Sequence, residues 1–286
     1  MKRHHATALA VSLVALAAAA AASVRFLDHR KPESIVRGPG VTEIRMLSEW
    51  LPDLAGSPGD TEVYVFRGAA PGSSMLVLGG THPNEPSSFL SAVLLIENAA
   101  VSAGTLYVIP RANASGFTHN DPQEGAPERY SIALPDGSKR TFRYGSRATN
   151  PVHQWPDPDV YVHAASGQTL SGNETRNLNR GYPGRADGTL TERICLGIAN
   201  LIRAERIDIS VDLHEASPEY PVINAIVAHE RAMPLASQVV LGLEFLDIKI
   251  GLEPSPKNLR GLTHRELGDA TETLAVLMEK IGRAHV

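Results

Sequence analysis

The stretch from Gly79 to Glu85, which reads Gly-Gly-Thr-His-Pro-Asn-Glu, constrains the fold more than any other part of the chain. An apolar run, Met75 to Leu78, leads into it, and a second apolar stretch, Phe89 to Ile96, follows it. This pattern predicts a buried strand, a glycine turn and then a helix. The turn therefore lies at the carboxyl end of a strand, which is the edge where α/β sheets place their ligands.

The rest of the chain alternates in the same way between short apolar runs and longer helical patterns. This alternation predicts an α/β fold with a mainly parallel or mixed central sheet and helices on both faces. The further strands are expected at 62–66, 105–110 and 207–213, and the further helices at 190–205 and around 233–243.

Two expectations concern the connections. Residues 62–66 and 74–78 are expected to pair as a hairpin through the glycine-containing segment 68–72. Residues 114–176 contain few apolar runs and many Pro, Gly, Asp and Asn residues, so we expect loops that wall a cleft. The histidines of that segment are expected to be loop or surface residues, namely His119, His153 and His163.

Two side chains of the glycine turn could bind a metal ion. His82 offers a nitrogen and Glu85 an oxygen three residues later, and Zn²⁺ accepts both. His214 is the candidate for a third ligand, because it ends the run 207–213 and two strand ends can bring distant residues together. Such a set would leave an open position for water. The alternative is that each histidine is a structural residue with its hydrogen bonds satisfied.

Three motifs in this order resemble a known family. The His-x-x-Glu of the turn, Asn-Leu-Asn-Arg at 177–180 and Asp-Leu-His at 212–214 are similar to motifs of the zinc carboxypeptidase superfamily, and most closely to its succinylglutamate desuccinylase/aspartoacylase branch. The resemblance covers roughly residues 60 to 280 and implies a carboxypeptidase-like α/β fold, one Zn²⁺ and amide hydrolysis. Asn177 departs from the family pattern, which usually has Asp at that position.

The resemblance implies that Glu279 is the general base, because the family places this glutamate at the end of a late strand. Against this, the spacing of Leu274, Leu277 and Met278 also fits a helix with Glu279 on its solvent face. Glu215 and Glu272 are weaker candidates for the same role.

The resemblance also assigns the substrate-binding residues. Arg180, assisted by Asn179, resembles the family's clamp for a substrate carboxylate, since a guanidinium can bind a carboxylate through two parallel hydrogen bonds. The alternative for Arg180 is a structural salt bridge. For the arginine that stabilises the oxyanion we expect Arg176, which is closest to the motif, with Arg111 at a strand end as the other candidate.

The chain is expected to have four segments. Residues 1–24 combine a basic head with an uncharged, alanine-rich stretch, which is typical of a signal peptide or a signal anchor. Residues 25–60 are expected to be a linker, and 61–280 a zinc hydrolase domain that is cut short at its C-terminus. Residues 281–286 resemble a translated sequencing adaptor rather than native protein. The domain would work outside the cytoplasmic membrane, in the periplasm or extracellular space, or anchored to the membrane.

Composition and missing motifs exclude other classes. The net charge of −4 is mild, and the absence of a basic block or recognition helix argues against nucleic acid. A single cysteine, Cys195, rules out an intramolecular disulfide, and its helical context predicts a buried apolar role. The chain has no nucleophile elbow, phosphate loop or dinucleotide fingerprint.

The sequence therefore predicts a zinc-dependent hydrolase that cleaves an amide bond of a small N-acyl amino acid, or a short peptide with a free carboxylate. One alternative is an exported zinc carboxypeptidase that acts on peptides such as cell-wall peptides. Two others are a non-catalytic binding module that retains the pocket, and a metal-free structural domain on a membrane anchor.

Overall fold

The computed structural model describes residues 2–121, 127–216 and 224–281. The helices are α1 (Lys2–His29), α2 (Pro86–Asn98), α3 (Leu190–Glu205), α4 (Met233–Glu244) and α5 (Thr263–Ala270). The strands are β1 (Glu43–Met46), β2 (Glu62–Arg67), β3 (Ala70–Leu78), β4 (Ala103–Ile109), β5 (Arg129–Ala133), β6 (Lys139–Arg143), β7 (Val160–Val162), β8 (Thr169–Ser171), β9 (Ile209–Ala216), β10 (Ala225–Ala228), β11 (Gly251–Pro254) and β12 (Leu274–Ile281).

Within these ranges the main sheet has eight strands in the order β1-β2-β4-β3-β9-β12-β10-β11. Its centre is parallel, because β3 pairs in parallel with β4 and β9, and β9 in parallel with β12. β1, β2 and β10 run antiparallel to their inner neighbours. The predicted mixed α/β sheet is confirmed. The parallel centre also brings the carboxyl ends of β3, β9 and β12 to one edge.

Helices cover both faces of this sheet. Successive side chains of a strand point to opposite faces, so alternate apolar residues enter two separate cores. One core contains Val63, Val65, Leu76 and Leu78 with Ile194 and Ile198 of α3, and the other contains Tyr64, Phe66 and Val77 with Ala92 and Ile96 of α2.

Helix α3 has the bounds that the sequence predicts. Thr189 and Glu192 form a capping box at its first turn, in which each side chain accepts from the other residue's backbone N–H. Cys195 is fully buried in α3, as expected, and lies in the core with Leu178 and Tyr182.

The expected hairpin between 62–66 and 74–78 is wrong. β4 lies between β2 and β3 and pairs with both. The connection is bound to the start of β4 instead, since Gly68 N–H donates to Gly104 O and Ala70 N–H to Ser102 O. Sequence proximity favoured the hairpin, but the non-local strand took the pairing positions of both neighbours.

The segment predicted as a linker is largely part of the domain. β1 pairs with β2, and Leu47, Leu51 and Leu54 are buried against α3. Their spacing gives one apolar face in a stretch whose Pro, Gly and charged residues suggested a linker. The side chain of Glu33 is also buried, so the folded region extends well before residue 61.

Helix α1 is long and apolar enough to cross a membrane by length and composition, with a mean hydropathy of 2.1, and a signal sequence would pass the same test.

The segment 114–176 holds two small antiparallel pairs, β5 with β6 and β7 with β8, among its loops. Of the expected non-native tail 281–286, residues 282–286 lie outside the described residues.

Candidate active site

The glycine turn after β3 places His82 and Glu85 at the edge of the sheet where the parallel strands β3, β9 and β12 have their carboxyl ends. Gly80 has a φ of +64°, a conformation that a side chain would strain, and its N–H donates to Ser88 Oγ. Glu85 is the N-cap residue of α2, and Pro86 begins the helix. Thr81 Oγ1 donates to Asp212 Oδ1 at 2.7 Å, which joins the turn to β9.

Three candidate metal ligands meet at this edge. One donor atom each from His82, Glu85 and His214 lies within 4.8 Å of the others. Glu85 stands between the imidazoles, with Oε1 2.6 Å from His82 Nδ1 and Oε2 3.0 Å from His214 Nδ1. Both histidines are buried.

The second nitrogen of each imidazole is held by an acceptor. His82 Nε2 lies 2.9 Å from Asn177 Oδ1, which also accepts from Asn179 N–H, and His214 Nε2 lies 2.9 Å from Asp212 Oδ2. With Nε2 as the donor in both rings, Nδ1 is left as the ligand atom. The departure at Asn177 therefore keeps the orienting oxygen but removes its negative charge.

The charges of the cluster fit a bound cation. Burial, and then Arg147, lower the pKa of His82 to about 4, so this imidazole is neutral. Burial would raise the pKa of Glu85, but His82 and His214 hold it well below its usual range. Burial would also lower the pKa of His214, yet Asp212 and Glu85 raise it well above the ordinary value. Asp212 and Glu85 thus favour a positive charge at His214, and a metal ion can take the place of that proton.

Glu279 stands beside these ligands on a strand. It is the register partner of His214 in the parallel pair β9–β12, so the helical interpretation of 274–279 is wrong. Its pKa is raised, mainly by burial and also by Glu85, whereas His214 lowers it. The same cavity wall carries His82, His214 and Glu279.

Asn179 and Arg180 also line this cavity. Asn179 Oδ1 accepts from the backbone N–H and the hydroxyl of Thr263, at 2.8 and 3.0 Å, which fixes the amide. Arg180 Nη1 donates to Asn179 O, and its Nε lies 3.6 Å from Glu174 Oε2.

The structure does not bring Arg176 into the site. Its guanidinium donates to both carboxylate oxygens of Asp157, at 2.7 and 2.9 Å, and to Thr149 O. Arg111 is bound to Glu33 elsewhere. Arg147 lines the cavity instead, with Nη1 3.4 Å from His82 Nδ1. The only sequence signal for Arg147 was its position in the segment predicted to wall the cleft.

His264, at the start of α5, is a further residue of the site that the sequence did not predict. It is buried, lines the cavity, and neither ring nitrogen has a hydrogen-bond partner among the described residues. Burial is the main cause that lowers its pKa to about 3.

The other candidate residues lie at different places in the structure. Glu215 lines the cavity, and its carboxylate accepts from Ser87 N–H, whereas Glu272 pairs with Arg231 on the surface. His163 bonds to Ser166 and to Tyr182 O, and His153 to Ser115, both apart from the cluster.

The cavity measures about 450 Å³ and is open to solvent. Its lining residues are His82, Glu85, Arg147, Asn179, Arg180, His214, Glu215, Ala216, Val227, Glu253, Pro254, Pro256, Leu259, Leu262, His264, Leu277 and Glu279.

Comparison with solved structures identifies the architecture. The metallo-carboxypeptidase from Burkholderia cenocepacia superposes with a TM-score of 0.51 at 13% identity, over 90% of this chain and 59% of that one. The fold is that of the metallo-carboxypeptidases. Bovine thrombin-activatable fibrinolysis inhibitor, solved in complex with tick carboxypeptidase inhibitor, matches with a TM-score of 0.51 at 14% identity, over 88% of this chain and 86% of that one.

Succinylglutamate desuccinylase from Silicibacter sp. TM1040 matches with a TM-score of 0.48 at 16% identity, over 77% of this chain and 53% of that one. The chain spans about half the length of the desuccinylase and aspartoacylase family structures that it matches. No protein-family profile matches the chain. No curated protein matches it either. At these identities the metallo-carboxypeptidase fold is established, and the activity has to be argued from the cavity.

Proposed function

We propose that this chain is a zinc-dependent amidohydrolase that cleaves a small N-acyl amino acid, or a short peptide with a free carboxylate. The observation that carries the proposal is the convergence of the His82–Glu85–His214 cluster, Glu279 and two arginines in one cavity. The metallo-carboxypeptidase fold supports it.

His82 Nδ1, Glu85 and His214 Nδ1 would hold the zinc ion. Two imidazoles and one carboxylate form a ligand set typical of catalytic zinc, because one position stays open. Zinc held there would polarise the scissile carbonyl and lower the pKa of a water molecule. Asn177 and Asp212 keep both rings oriented through their Nε2 atoms.

Glu279 is the proposed general base. Its carboxylate would take a proton from the attacking water and then donate it to the leaving nitrogen, so that the amine product departs neutral. Its place beside His214 puts it next to the ligand cluster, and its raised pKa favours a group that can also return a proton.

Arg180 and Arg147 are proposed to bind two different anionic groups of the reacting substrate. Arg180, held by Asn179 O, is proposed to bind the substrate carboxylate, with Asn179 assisting. Arg147 lies next to His82 and is proposed to stabilise the charge that develops on the carbonyl oxygen.

An exported carboxypeptidase is the second candidate, with peptides such as cell-wall peptides as substrates. Helix α1 favours it, because an N-terminal signal or anchor would place the domain outside the cytoplasmic membrane. Fractionation of cells that express the full chain would locate it, and recovery in the cytoplasmic fraction would contradict this placement.

Hydrolysis assays test the proposal and separate its two forms. The full chain, reconstituted with zinc, is assayed for amine release from N-acetyl amino acids and from C-terminally unblocked tripeptides. We expect hydrolysis that a chelator abolishes and added zinc restores. A folded, zinc-loaded protein that hydrolyses neither class would support the non-catalytic binding module instead.

A further inference from the structure

The lining of the cavity changes from polar to apolar on the side of Glu279 that faces away from the glycine turn. Leu277 lies two residues before Glu279 and therefore on the same face of β12. Val227 on β10 is the register partner of Leu277, and Glu253 on β11 is the partner of Val227. From β9 through β12 to β10, the sheet thus presents His214, then Glu279 and Leu277, and then Val227. Leu277 and Val227 form an apolar floor.

Further apolar side chains extend this floor along the side of the cavity. Leu262 precedes α5, the last residue of β11 adds Pro254, and the segment after β11 adds Pro256 and Leu259. Val227, Leu262 and Leu277 are buried residues of this lining. The apolar lining residues are Ala216, Val227, Pro254, Pro256, Leu259, Leu262 and Leu277.

The charges in the wall disfavour a second anion. Among the described residues that line the cavity, the permanent cations are Arg147 and Arg180, and both have a role in the proposed reaction. Glu253, the register partner of Val227, adds negative charge beside the apolar region. His264 offers no compensating charge near neutral pH, because burial lowers its pKa to about 3. A further carboxylate would lose its water against apolar side chains without gaining a cation.

We propose that Val227, Leu262 and Leu277 form a subsite for the side chain of the carboxylate-bearing amino acid, and that this side chain is aliphatic or aromatic rather than acidic. The inference rests on the proposed function, because the subsite is defined relative to the scissile amide. It differs from the substrates that the names of desuccinylase and aspartoacylase suggest.

Binding and turnover on a matched panel test the subsite. The zinc-loaded full chain is given N-acetyl-L-phenylalanine, N-acetyl-L-leucine, N-acetyl-L-aspartate and N-acetyl-L-glutamate, and kcat/KM is measured for each. Binding of the same compounds to Glu279→Gln is measured by calorimetry, where turnover does not interfere. We expect the apolar compounds to exceed the acidic ones at least ~10-fold in both measurements, since even one methylene in an apolar pocket changes selectivity by about 10-fold or more.

Two variants and one control show whether these residues set the substrate preference. Leu277→Arg should reverse it in favour of the acidic compounds, whereas Leu241→Arg, which adds the same charge to an exposed position of α4, should leave it unchanged. Val227→Thr keeps the volume and should weaken binding of the apolar compounds even if Leu277→Arg fails to fold.

The outcomes separate the two proposals. Stronger binding and faster turnover of the acidic compounds would overturn the subsite and leave the hydrolase standing. Selective binding of the apolar compounds without turnover in the parent would support the subsite and contradict the hydrolase. Equal binding of all four compounds would also overturn the subsite.

Discussion

Glu279 and His214 are register partners on the adjacent parallel strands β12 and β9. Residues opposite each other in parallel strands point to the same face, so the proposed base and a candidate zinc ligand share one wall of the cavity. The backbone ladder therefore fixes the spacing between the two groups, and no loop has to move to bring them together.

Replacing Glu279 by Gln should separate catalysis from metal binding. The amide keeps the size of the side chain but cannot accept the proton of water, so kcat should fall by about 10²- to 10⁴-fold. Zinc content, measured by elemental mass spectrometry, should stay as in the parent because Glu279 is not in the ligand set. Loss of zinc in this variant would instead place Glu279 among the ligands.

Truncation of Arg147 and truncation of Arg176 should have different effects on kcat. Arg147→Ala should lower kcat by about 10²- to 10³-fold, because a donor at the developing oxyanion acts mainly in the transition state. Arg176→Ala should keep kcat and lower the melting temperature, since it removes the pair with Asp157. Steady-state kinetics and thermal unfolding of both variants check this. Unchanged kcat in Arg147→Ala would contradict the assignment.

A short relay sets the orientation of His82. Asn177 Oδ1 accepts from His82 Nε2–H, and Asn177 Nδ2 donates to Glu174 Oε2 at 2.6 Å. Asn177→Asp would put a carboxylate against Glu174, so we expect zinc affinity to fall by about 10- to 100-fold, as for other losses of a partner to a ligand. Adding Glu174→Gln restores a donor–acceptor pair and should recover most of the affinity.

Competition with a zinc chelator measures this relay without reference to activity. The single variant Glu174→Gln serves as the control for the double variant. If Asn177→Asp alone binds zinc as tightly as the parent, the relay does not position His82.

Glu33 should make stability depend on pH. Its carboxylate accepts from the backbone N–H and the guanidinium of Arg143 and from Arg111. Burial would raise its pKa, but Arg143 and Arg111 together lower it. A lowered pKa in the folded state stabilises the protein above the unfolded value of about 4.3, and this contribution is lost as pH falls through the folded value.

Glu33→Gln should lower the free energy of unfolding at pH 7 by about 3–5 kcal/mol, because it removes the carboxylate from the buried guanidinium of Arg143 and leaves Arg111 with the more distant carboxylate of Glu62, at 3.8 Å. It should also flatten the loss of stability below pH 4. Denaturant titrations at several pH values, with the exposed Glu128→Gln as control, measure both effects. Equal stability of the parent and Glu33→Gln would show that the segment before residue 40 contributes little to the fold.

The sequence predicted that His82, Glu85 and His214 meet, because each follows an apolar run and the ends of parallel strands lie at one edge. The run 274–279 was ambiguous, since a short apolar run fits both the helical and the strand period. Only the pairing with β9 decides it. Arg147 reaches the cavity from an irregular loop, where no periodicity ties sequence position to place. Helix α5 was missed because its buried residues include His264, Arg265 and Glu266, which carry no apolar pattern.

The zinc content of the full chain, measured by elemental mass spectrometry beside His214→Ala, tests the proposed metal site most directly. His163→Ala is the matched control, because it removes a histidine of similar burial outside the cluster, and circular dichroism checks that all three proteins are folded. We expect about one zinc per chain in the parent and in His163→Ala, and none in His214→Ala. A folded parent that binds no zinc after reconstitution, or a His214→Ala variant that retains it, would contradict the proposed metal site.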